Sequence, residues 1–309
     1  MNTFNISDLQ QLYVPPPSSH KGQNGKLLII GGSHLFHAAS LWALEIASKI
    51  VDMVFYSSVP ENEKIVQDTK EAFRNGIIVP REHIEDYVKE ADAILLGPGM
   101  VRKEFPISNV QFPMSNIADI NNLPDEGEQT YYLTDYLLEK FPEKKWILDA
   151  GALQMVELSR LTKIKQCIIT PHMQEFERVF GILPTPENVQ AMAQQYHCVI
   201  LLKKDADIVC SPDTCVSIPG GNPGMTKGGT GDILAGLVAA LATKNDLFLA
   251  AKAGSFLNKK AGEQLCKRVG YYFNASDLLQ EIPKIMKKYI QGNRKVREKE
   301  SIKITRLKK

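Results

Sequence analysis

Cysteine is scarce in this sequence, and long apolar runs are absent. The five cysteines are an odd number without the spacing of a metal site, so we expect free thiols. Cys210 and Cys215 nevertheless flank a turn and are placed to face each other across a hairpin. No apolar run is long enough to cross a bilayer, and the N-terminus lacks the basic and apolar segments of a secretory signal. These absences predict a cytoplasmic protein without a membrane partner.

A large net charge is also absent. Lysine and arginine number 37 against 35 aspartates and glutamates, which gives a formal net charge of +2 at pH 7. This balance argues against a dedicated nucleic-acid-binding protein, so we predict no nucleic-acid partner. The basic excess lies in residues 291–309, which we interpret as a solvated C-terminal tail.

Two common phosphate-binding signatures are missing, because the chain has neither a G-x-x-x-x-G-K-[ST] loop nor a G-x-G-x-x-G fingerprint. The chain has instead a loop with Gly228, Gly229 and Gly231, followed by Asp232 and the apolar run 233–241. The glycines allow the backbone to approach a ligand closely, and the apolar run predicts a buried helix. The start of that helix offers free N–H groups and a positive dipole end to an anion.

Asp232 stands where that anion would bind. A carboxylate there repels a phosphate unless it has a further role, and the obvious role is to take a proton from a hydroxyl that reacts with a phosphoryl group. The alternative interpretation is a helix N-cap in an ordinary turn. Asp232 is therefore a candidate catalytic base.

Short apolar runs that end in small or polar residues alternate with helical patterns along the chain. Runs such as 26–30 and 91–96 are typical of buried parallel strands. We predict an α/β fold with a mostly parallel central sheet and helices on both faces. A single catalytic domain spans residues 26–290 and follows an N-terminal arm at residues 1–25. Residues 101–130 are rich in proline and asparagine, which predicts a long irregular insertion.

The stretch Gly229-Thr230-Gly231-Asp232 before an apolar helix resembles the signature of the ribokinase-like superfamily. Residues 225–236 are most similar to one branch, the ADP-dependent NAD(P)H-hydrate dehydratases. Further motifs that resemble this family occur in its order across residues 20–290, namely Gly31-Gly32-Ser33, Gly97-Pro98-Gly99, Thr170-Pro171-His172, the hairpin at 203–209 and Ala275-Ser276-Asp277. The resemblance implies a ribokinase-like three-layer sandwich and an enzyme that repairs hydrated nicotinamide cofactors.

The resemblance also implies roles for individual residues. Asp232 resembles the catalytic base, and the anion hole corresponds to Gly229, Thr230 and Gly231. The implied substrate-binding residues are Ala39, Gly99, His172 and Asp232. The implied nucleotide-binding residues are Lys203, Lys204, Asp205, Ala206, Asp207 and Gly231. Glu175 is expected either as a helix cap or as an outer-shell ligand of hydrated Mg²⁺.

The sequence departs from the family pattern at several of these motifs. Ala38 and Gln174 replace family glycines, and Val101 stands where another glycine often follows the Gly-Pro-Gly turn. Gly151 replaces the second aspartate of an Asp-Ala-Asp motif, of which Asp149 is retained. Lys204 replaces a glycine in the nucleotide hairpin. These departures put the shape of the substrate loop and the affinity for the nucleotide in question.

The function implied by the resemblance is that of a hydro-lyase. It dehydrates (6S)-NAD(P)H hydrate to NAD(P)H with ADP as co-substrate and Mg²⁺ as cofactor, and it releases AMP and phosphate. A homo-oligomer is also expected. Two alternatives stay open: an ATP-dependent kinase of the same superfamily that acts on a hydroxymethylpyrimidine or thiazole alcohol, and a non-catalytic nucleotide-binding protein.

Overall fold

A computed structural model describes residues 1–68, 75–104, 114 and 116–292, and ten strands of this part of the chain form one sheet. The strands are β1 Asn2–Thr3, β2 Lys26–Ile30, β3 Met53–Ser57, β4 Ile77–Ile78, β5 Ala93–Leu96, β6 Lys145–Leu148, β7 Gln166–Ile169, β8 Val199–Leu202, β9 Asp207–Cys210 and β10 Cys215–Ile218. Every residue of β5 and β8 is buried. Strands covered on both faces consist of continuous apolar runs, which is why the sequence pattern located them.

Helices connect most of these strands. They are α1 His37–Ala47, α2 Pro60–Asp68, α3 Ile84–Glu90, α4 Ile117–Asn121, α5 Glu126–Lys140, α6 Ala150–Met155, α7 Leu158–Leu161, α8 Met173–Phe180, α9 Pro186–Gln195, α10 Thr230–Ala242, α11 Leu247–Val269 and α12 Ala275–Met286. Asn274 caps α12, because its side chain accepts a hydrogen bond from the Asp277 amide at 3.2 Å. None of the described helices combines the length and the apolar character that a membrane span requires.

The sheet changes winding direction between β2 and β5. Its strand order is β1-β10-β9-β8-β7-β6-β5-β2-β3-β4, and only β9 runs antiparallel to its neighbours within the described strands. The chain runs outward from β2 to β4 and then returns to β5 on the other side of β2. Open α/β sheets bind ligands beyond the carboxyl ends of the strands at such a switch point. The Gly32 amide donates to the Pro98 carbonyl at 2.7 Å there, which joins the two loops.

Successive strand residues point to opposite faces and build two apolar cores. In β2, Leu27 and Ile29 belong to the core beneath α1, α10, α11 and α12, whereas Leu28 and Ile30 belong to the core beneath α3 to α9. Helix α10 can pack tightly on α1 because Gly236 has no side chain; a Cβ there would lie 2.7 Å from the Cα of Ala43. The predicted α/β class with helices on both faces is confirmed.

The N-terminal arm contributes to both the sheet and the core. Strand β1 pairs in parallel with β10, and Phe4, Leu9 and Leu12 are buried among the helices α11 and α12 and their neighbours. The Phe4 ring lies 5.0 Å from the ring of Phe256. The sequence predicted an N-terminal arm at residues 1–25 but did not indicate that these three side chains anchor it in the core.

The predicted irregular insertion at 101–130 is only partly irregular. Residues 105–113 and 115 lie outside the described residues, as do residues 293–309 of the predicted basic tail. Residues 117–121 form α4, and α5 begins at Glu126, within the predicted insertion. Asp125 caps α5 by accepting from the Glu128 amide at 2.8 Å, and Pro124 precedes this cap. Part of the predicted irregular insertion is therefore helical, which corrects the expectation.

The expectation of free thiols needs one correction. Cys210 and Cys215 lie opposite each other in the β9–β10 hairpin and form a disulfide. Cys167 and Cys198 are buried free thiols, and Cys266 is also free. The turn between the two bonded cysteines placed them correctly, but the general rule for reduced compartments did not anticipate the bond.

Candidate active site

The glycine loop before α10 is held in one shape by its surroundings. Gly229 has a φ of 89°, and a Cβ at this position would lie 2.3 Å from the Trp42 ring, so both conformation and space require glycine. The Thr230 hydroxyl donates to the carbonyls of Met225 at 2.6 Å and Lys227 at 2.9 Å. The Lys227 ammonium binds two carbonyls of the turn before α12. These contacts hold the start of α10 in a fixed shape, and a helix start of this kind favours an anion.

Asp232 is the third residue of α10 and is partly buried. Gly229, not Asp232, occupies the N-cap position, which excludes the interpretation of Asp232 as the cap. Burial and then the neighbouring carboxylate of Asp149 raise the pKa of Asp232 from 3.8 to about 7, while Lys203 opposes this rise. A carboxyl group with such a pKa exchanges protons near neutral pH, as a general base must.

Lys203 lies beside this carboxyl group in a set of charged side chains. Its Nζ lies 3.0 Å from Asp149 Oδ1 and 3.8 Å from Glu175 Oε2. Asp149 also accepts from the Thr170 hydroxyl at 2.7 Å. Burial disfavours the charged ammonium, but the two carboxylates outweigh burial and raise the pKa of Lys203. Lys203 therefore stays positively charged where a phosphate would bring negative charge.

His172 and Glu175 form a capping box at the start of α8. The His172 side chain accepts from the Glu175 amide at 3.2 Å, and Glu175 Oε2 accepts from the His172 amide at 2.8 Å. The predicted helix-cap role of Glu175 is thus present in the structure. The imidazole of His172 is half-exposed, and its Nε2 lies 3.6 Å from Glu175 Oε2.

Two clefts meet beside Asp232 at the carboxyl ends of the strands. The first, of about 580 Å³, is lined by Phe36, Ala39, Gly99, Met100, Val101, Arg102, Ala150, Gly151, Gln154, His172, Gln174, Arg178 and Asp232. The second, of about 660 Å³, is lined by His172, Lys203, Lys204, Asp205, Asp207, Gly220, Gly221, Asn222, Pro223, Met225, Thr226, Thr230, Gly231, Leu234, Asn258 and Lys259. His172 borders both clefts, and the adjacent residues Gly231 and Asp232 border one each.

The first cleft brings together all four predicted substrate residues. Ala39 and Gly99 are neighbours, since a Cβ on Gly99 would lie 3.0 Å from the Ala39 side chain. Gly99 has a φ of 72°, so its turn needs glycine. Gly151 packs beneath the same turn, because a Cβ there would lie 2.2 Å from the Met100 carbonyl oxygen. The space for a second aspartate at position 151 is thus occupied by the backbone of the substrate loop.

The second cleft contains most of the predicted nucleotide residues, and Ala206 is the exception. Asp207 is buried and organises the hairpin, since it accepts from the Lys204 amide at 2.9 Å and from the Ser255 hydroxyl at 2.7 Å. The Lys259 ammonium lies 3.2 Å from Asp207 and donates to the Asp205 carbonyl at 2.9 Å. These contacts fix the hairpin backbone at the edge of the cleft.

Two buried side-chain amide atoms of the second cleft have no hydrogen-bond partner among the described residues. They are Nδ2 of Asn222 and Oδ1 of Asn258. Asn222 Oδ1 accepts from the Gly224 amide at 2.9 Å, so the free atom of Asn222 must be the donor. Unpaired buried polar atoms are destabilising, and a polar ligand would satisfy them. The cleft therefore suits a nucleotide, which carries both donors and acceptors.

Both carboxylate oxygens of Glu175, the residue predicted to bind hydrated Mg²⁺, already accept hydrogen bonds within the protein. Glu175 Oε1 accepts from the side-chain Nε2 of Gln154 at 3.1 Å, and Oε2 accepts from the backbone amide of His172. Among the described residues, no group of three or more His, Cys, Asp or Glu side chains is arranged to hold a metal ion. The outer-shell role of Glu175 towards Mg²⁺ stays a prediction.

Sequence reasoning missed several polar residues of both clefts. Asn222, Asn258 and Lys259 border the second cleft, and Arg102, Gln154 and Arg178 border the first cleft. Asn222 opens the glycine stretch, so its position was a usable signal. Asn258 and Lys259 lie in the middle of α11, where the sequence pattern indicates only a buried helix.

Comparison with known proteins finds a matching family model and similar curated proteins. A family model described as NAD(P)H-hydrate dehydratase matches residues 27–284. The chain is 34% identical over 285 residues to a bifunctional NAD(P)H-hydrate repair enzyme of Methanocaldococcus jannaschii, covering 91% of this chain and 52% of that protein. It is 31% identical over 278 residues to an ADP-dependent (S)-NAD(P)H-hydrate dehydratase of Nitrosopumilus maritimus, covering 88% and 91%. The chain thus spans about half the length of its bifunctional relative.

Solved structures support the fold. The ADP/ATP-dependent NAD(P)H-hydrate dehydratase of Bacillus subtilis, co-crystallised with ATP and Mg²⁺, superposes with a TM-score of 0.73 at 22% identity and covers 93% of this chain and 98% of its own. A ribokinase-like superfamily protein of Enterococcus faecalis superposes with a TM-score of 0.74 at 21% identity and covers 94% and 96%. The predicted ribokinase-like sandwich is confirmed. The resemblance seen in the sequence is confirmed as well: the chain belongs to the NAD(P)H-hydrate dehydratase family.

Proposed function

We propose that the protein catalyses the ADP-dependent dehydration of (6S)-NAD(P)H hydrate, which regenerates NAD(P)H and gives AMP and phosphate. The observation that carries this proposal is the position of Asp232, a carboxyl group with a pKa of about 7 where two clefts meet. The clefts are large enough for a nucleotide and a second substrate on either side of this residue. The relative from Nitrosopumilus maritimus, which is named for this activity, supports the proposal.

In the first step, the 6-hydroxyl oxygen of the hydrate attacks the terminal phosphorus of ADP, and the bond to the leaving AMP oxygen breaks. Asp232 takes the hydroxyl proton. The amides at the start of α10 donate to the phosphoryl oxygens, and Lys203 adds a fixed positive charge nearby. Because these groups are held in place before the reaction, they stabilise the developing charge without rearranging.

In the second step, the bond between ring carbon 6 and the phosphate oxygen breaks, and phosphate leaves with the bonding electrons. The lone pair of the ring nitrogen stabilises the resulting cation, and loss of a proton from carbon 5 restores the ring double bond. Hydrate and ADP are thereby converted to NAD(P)H, AMP and phosphate. Phosphate is a far better leaving group than hydroxide, which explains why the reaction consumes a phosphoryl donor.

Magnesium belongs to this proposal as a companion of the nucleotide. Bound to the phosphates of ADP, Mg²⁺ would supply positive charge against their mutual repulsion. The nucleotide itself would contact the Lys203–Asp207 hairpin and satisfy the free amide atoms of Asn222 and Asn258. The cytoplasmic location and the homo-oligomeric state stay predictions from the sequence, and the oligomer can be checked by sedimentation.

The test is recovery of the dihydronicotinamide absorbance band. The protein is mixed with hydrated NADH or NADPH, Mg²⁺ and either ADP or ATP, and Asp232→Asn is measured beside it. We expect recovery with ADP, stoichiometric formation of AMP, and a loss of at least about 100-fold in kcat for the variant. Recovery with neither nucleotide would sink the proposal, and ATP-dependent phosphorylation of a hydroxymethyl alcohol would favour the kinase alternative.

A further inference from the structure

Two arginines converge on one oxygen atom at the wall of the first cleft. Nη1 of Arg102 donates to Gln154 Oε1 at 3.0 Å, and Nη1 of Arg178 donates to the same oxygen at 2.5 Å. Arg102 follows the turn after β5, Gln154 lies on α6, and Arg178 lies on α8. Three separate elements therefore bring two guanidinium groups together on this wall.

The acceptor in this cluster is neutral, and its orientation is settled by its other contacts. The Gln154 Nε2 group donates to Glu175 Oε1 at 3.1 Å and to the Ala150 carbonyl at 3.3 Å. Both of those partners can only accept, so Oε1 must be the atom that faces the arginines. Gln154 thus positions two positive charges without neutralising either of them.

Neither arginine has an acidic partner in the part of the chain that the structure describes. Arg160 and Arg268 both lie within ion-pair distance of carboxylates, whereas Arg102 and Arg178 form no ion pair with any described residue. Like charges held close together repel each other, and a bound anion relieves this repulsion. Guanidinium groups bind phosphate oxygens through paired hydrogen bonds, so a phosphate group is an anion that suits these two arginines.

We propose that Arg102 and Arg178 form a subsite for a phosphate group of the dinucleotide substrate. This inference rests on the proposed function, since it places the hydrate in the cleft that also contains Ala39, Gly99 and Asp232. The hydrate carries a diphosphate in both of its forms, and NADPH hydrate carries a 2′-phosphate in addition. Binding at the two arginines holds the substrate at a point away from its reacting ring, on the opposite side of Asp232 from ADP.

The test compares Arg102→Gln and Arg178→Gln with Lys267→Gln, which removes one positive charge from an exposed site on α11. KM and kcat are measured with NADH hydrate and NADPH hydrate at saturating ADP. We expect each arginine variant to raise KM about 10-fold or more, with kcat changed far less, and the control to leave both unchanged. The KM of the wild type should also rise with salt more steeply than the KM of either arginine variant.

The two forms of the substrate distinguish the two phosphate groups. An equal rise in KM for both hydrates assigns the subsite to the diphosphate, and a rise confined to NADPH hydrate assigns it to the 2′-phosphate. Gln154→Glu provides a second route, because it places a carboxylate between the guanidinium groups while both arginines are retained. This variant should raise KM in the same pattern as the arginine variants.

A direct binding measurement separates this inference from the proposed function. Titration with NADPH and NADH, followed by their fluorescence, gives Kd values without any turnover. If the wild type fails to dehydrate the hydrate but binds NADPH in a manner that depends on both arginines, the proposed function fails and the subsite stands. If neither KM nor Kd changes in folded Arg102→Gln and Arg178→Gln proteins, the subsite is overturned.

Discussion

At the scale of single residues, the environment that raises the pKa of Asp232 also lowers the stability of the protein whenever this carboxyl group is charged. The carboxyl group lies at the start of a buried helix, next to Asp149 and within the influence of Lys203. Burial and the neighbouring carboxylate disfavour its charged form, yet a base must be charged to accept a proton. The residue is therefore held in an environment that a purely structural helix start would not require.

The first prediction concerns pH. Folding raises the pKa of Asp232 from 3.8 to about 7, so the folded protein binds this proton more tightly than the unfolded chain. The resulting stabilisation is complete below about pH 4 and is lost as the pH rises to about 7. At pH 8 the wild type must therefore bury a charged carboxylate, which lowers its free energy of unfolding. Asp232→Asn removes this cost, and we expect the variant to be more stable than the wild type by about 2 kcal/mol at pH 8. Denaturant unfolding at pH 5 and pH 8 measures the difference, which should be smaller at pH 5.

The titration of Asp232 should also be visible in the pH dependence of wild-type activity. Because the base acts in its charged form, kcat/KM should fall as the pH drops through about 7. A flat profile between pH 6 and pH 8, together with equal stability of wild type and Asp232→Asn at pH 8, would show that Asp232 does not titrate in this range.

The second prediction concerns Gly151. A Cβ at this position would lie 2.2 Å from the Met100 carbonyl oxygen, so any side chain must push the substrate loop away from α6. We expect Gly151→Asp, which restores the family residue, to destabilise the protein by about 1–3 kcal/mol and to raise KM for the hydrate. Gly181→Ala is the matched control, since no atom lies within 4 Å of a Cβ there, although its φ of 67° adds strain of its own. Thermal unfolding measures the loss of stability, and steady-state kinetics measure KM for the hydrate. An unchanged KM in Gly151→Asp would contradict the packing argument.

At the scale of elements, helix α8 serves the fold and the site through the same residue. His172 ends the segment after β7, caps α8 with its ring nitrogen and borders both clefts. Glu175 completes the cap and also lies 3.8 Å from Lys203. The start of this helix therefore connects the hairpin at residues 203–209 to the first cleft.

The third prediction separates these two roles of His172. His172→Asn keeps a side-chain acceptor for the Glu175 amide but removes the imidazole, whereas His172→Ala removes both. We expect the alanine variant to lose about 1 kcal/mol of stability and the asparagine variant to lose little. Both should raise KM for the hydrate if the imidazole contacts the substrate. Wild-type kinetics in His172→Asn would show that the residue is only a cap.

At the scale of the whole molecule, the active site depends on segments that are distant in the chain. The first cleft is built from the loops after β2 and β5 and from α6, α8 and α10. Helix α10 that carries Asp232 is buried between α1 and α11, and the core around them also includes the N-terminal arm. Substitutions or deletions that destabilise this core should therefore also disturb the position of Asp232.

The fourth prediction tests this dependence by removal of residues 1–12. The deletion takes away β1 and the buried side chains of Phe4, Leu9 and Leu12, together with the ion pair of Asp8 and Lys252 at 2.5 Å. Burial of three such apolar side chains contributes roughly 5–8 kcal/mol, which is comparable to the whole stability of many domains. We expect a strongly lowered Tm and loss of activity at moderate temperature. The Asp8→Asn variant is the control and should change Tm only slightly.

The sequence alone determined the strands, the long helices and the central chemistry of this protein. Buried strands and helices show their environment in local apolar patterns, so β2, β5 and α10 were located correctly. The glycine loop with Asp232 was found because a helix start with a carboxylate is a local feature. The family was recognised for the same reason, through short motifs that keep their order.

The tertiary structure decided what depends on neighbours from distant parts of the chain. The pKa of Asp232, the free amide atoms of Asn222 and Asn258 and the convergence of Arg102 and Arg178 all arise from side chains that meet only after folding. The burial of the N-terminal arm and the space beneath the substrate loop at Gly151 were decided in the same way. Local patterns record whether a residue is buried, but electrostatic and steric effects depend on which groups surround it in space.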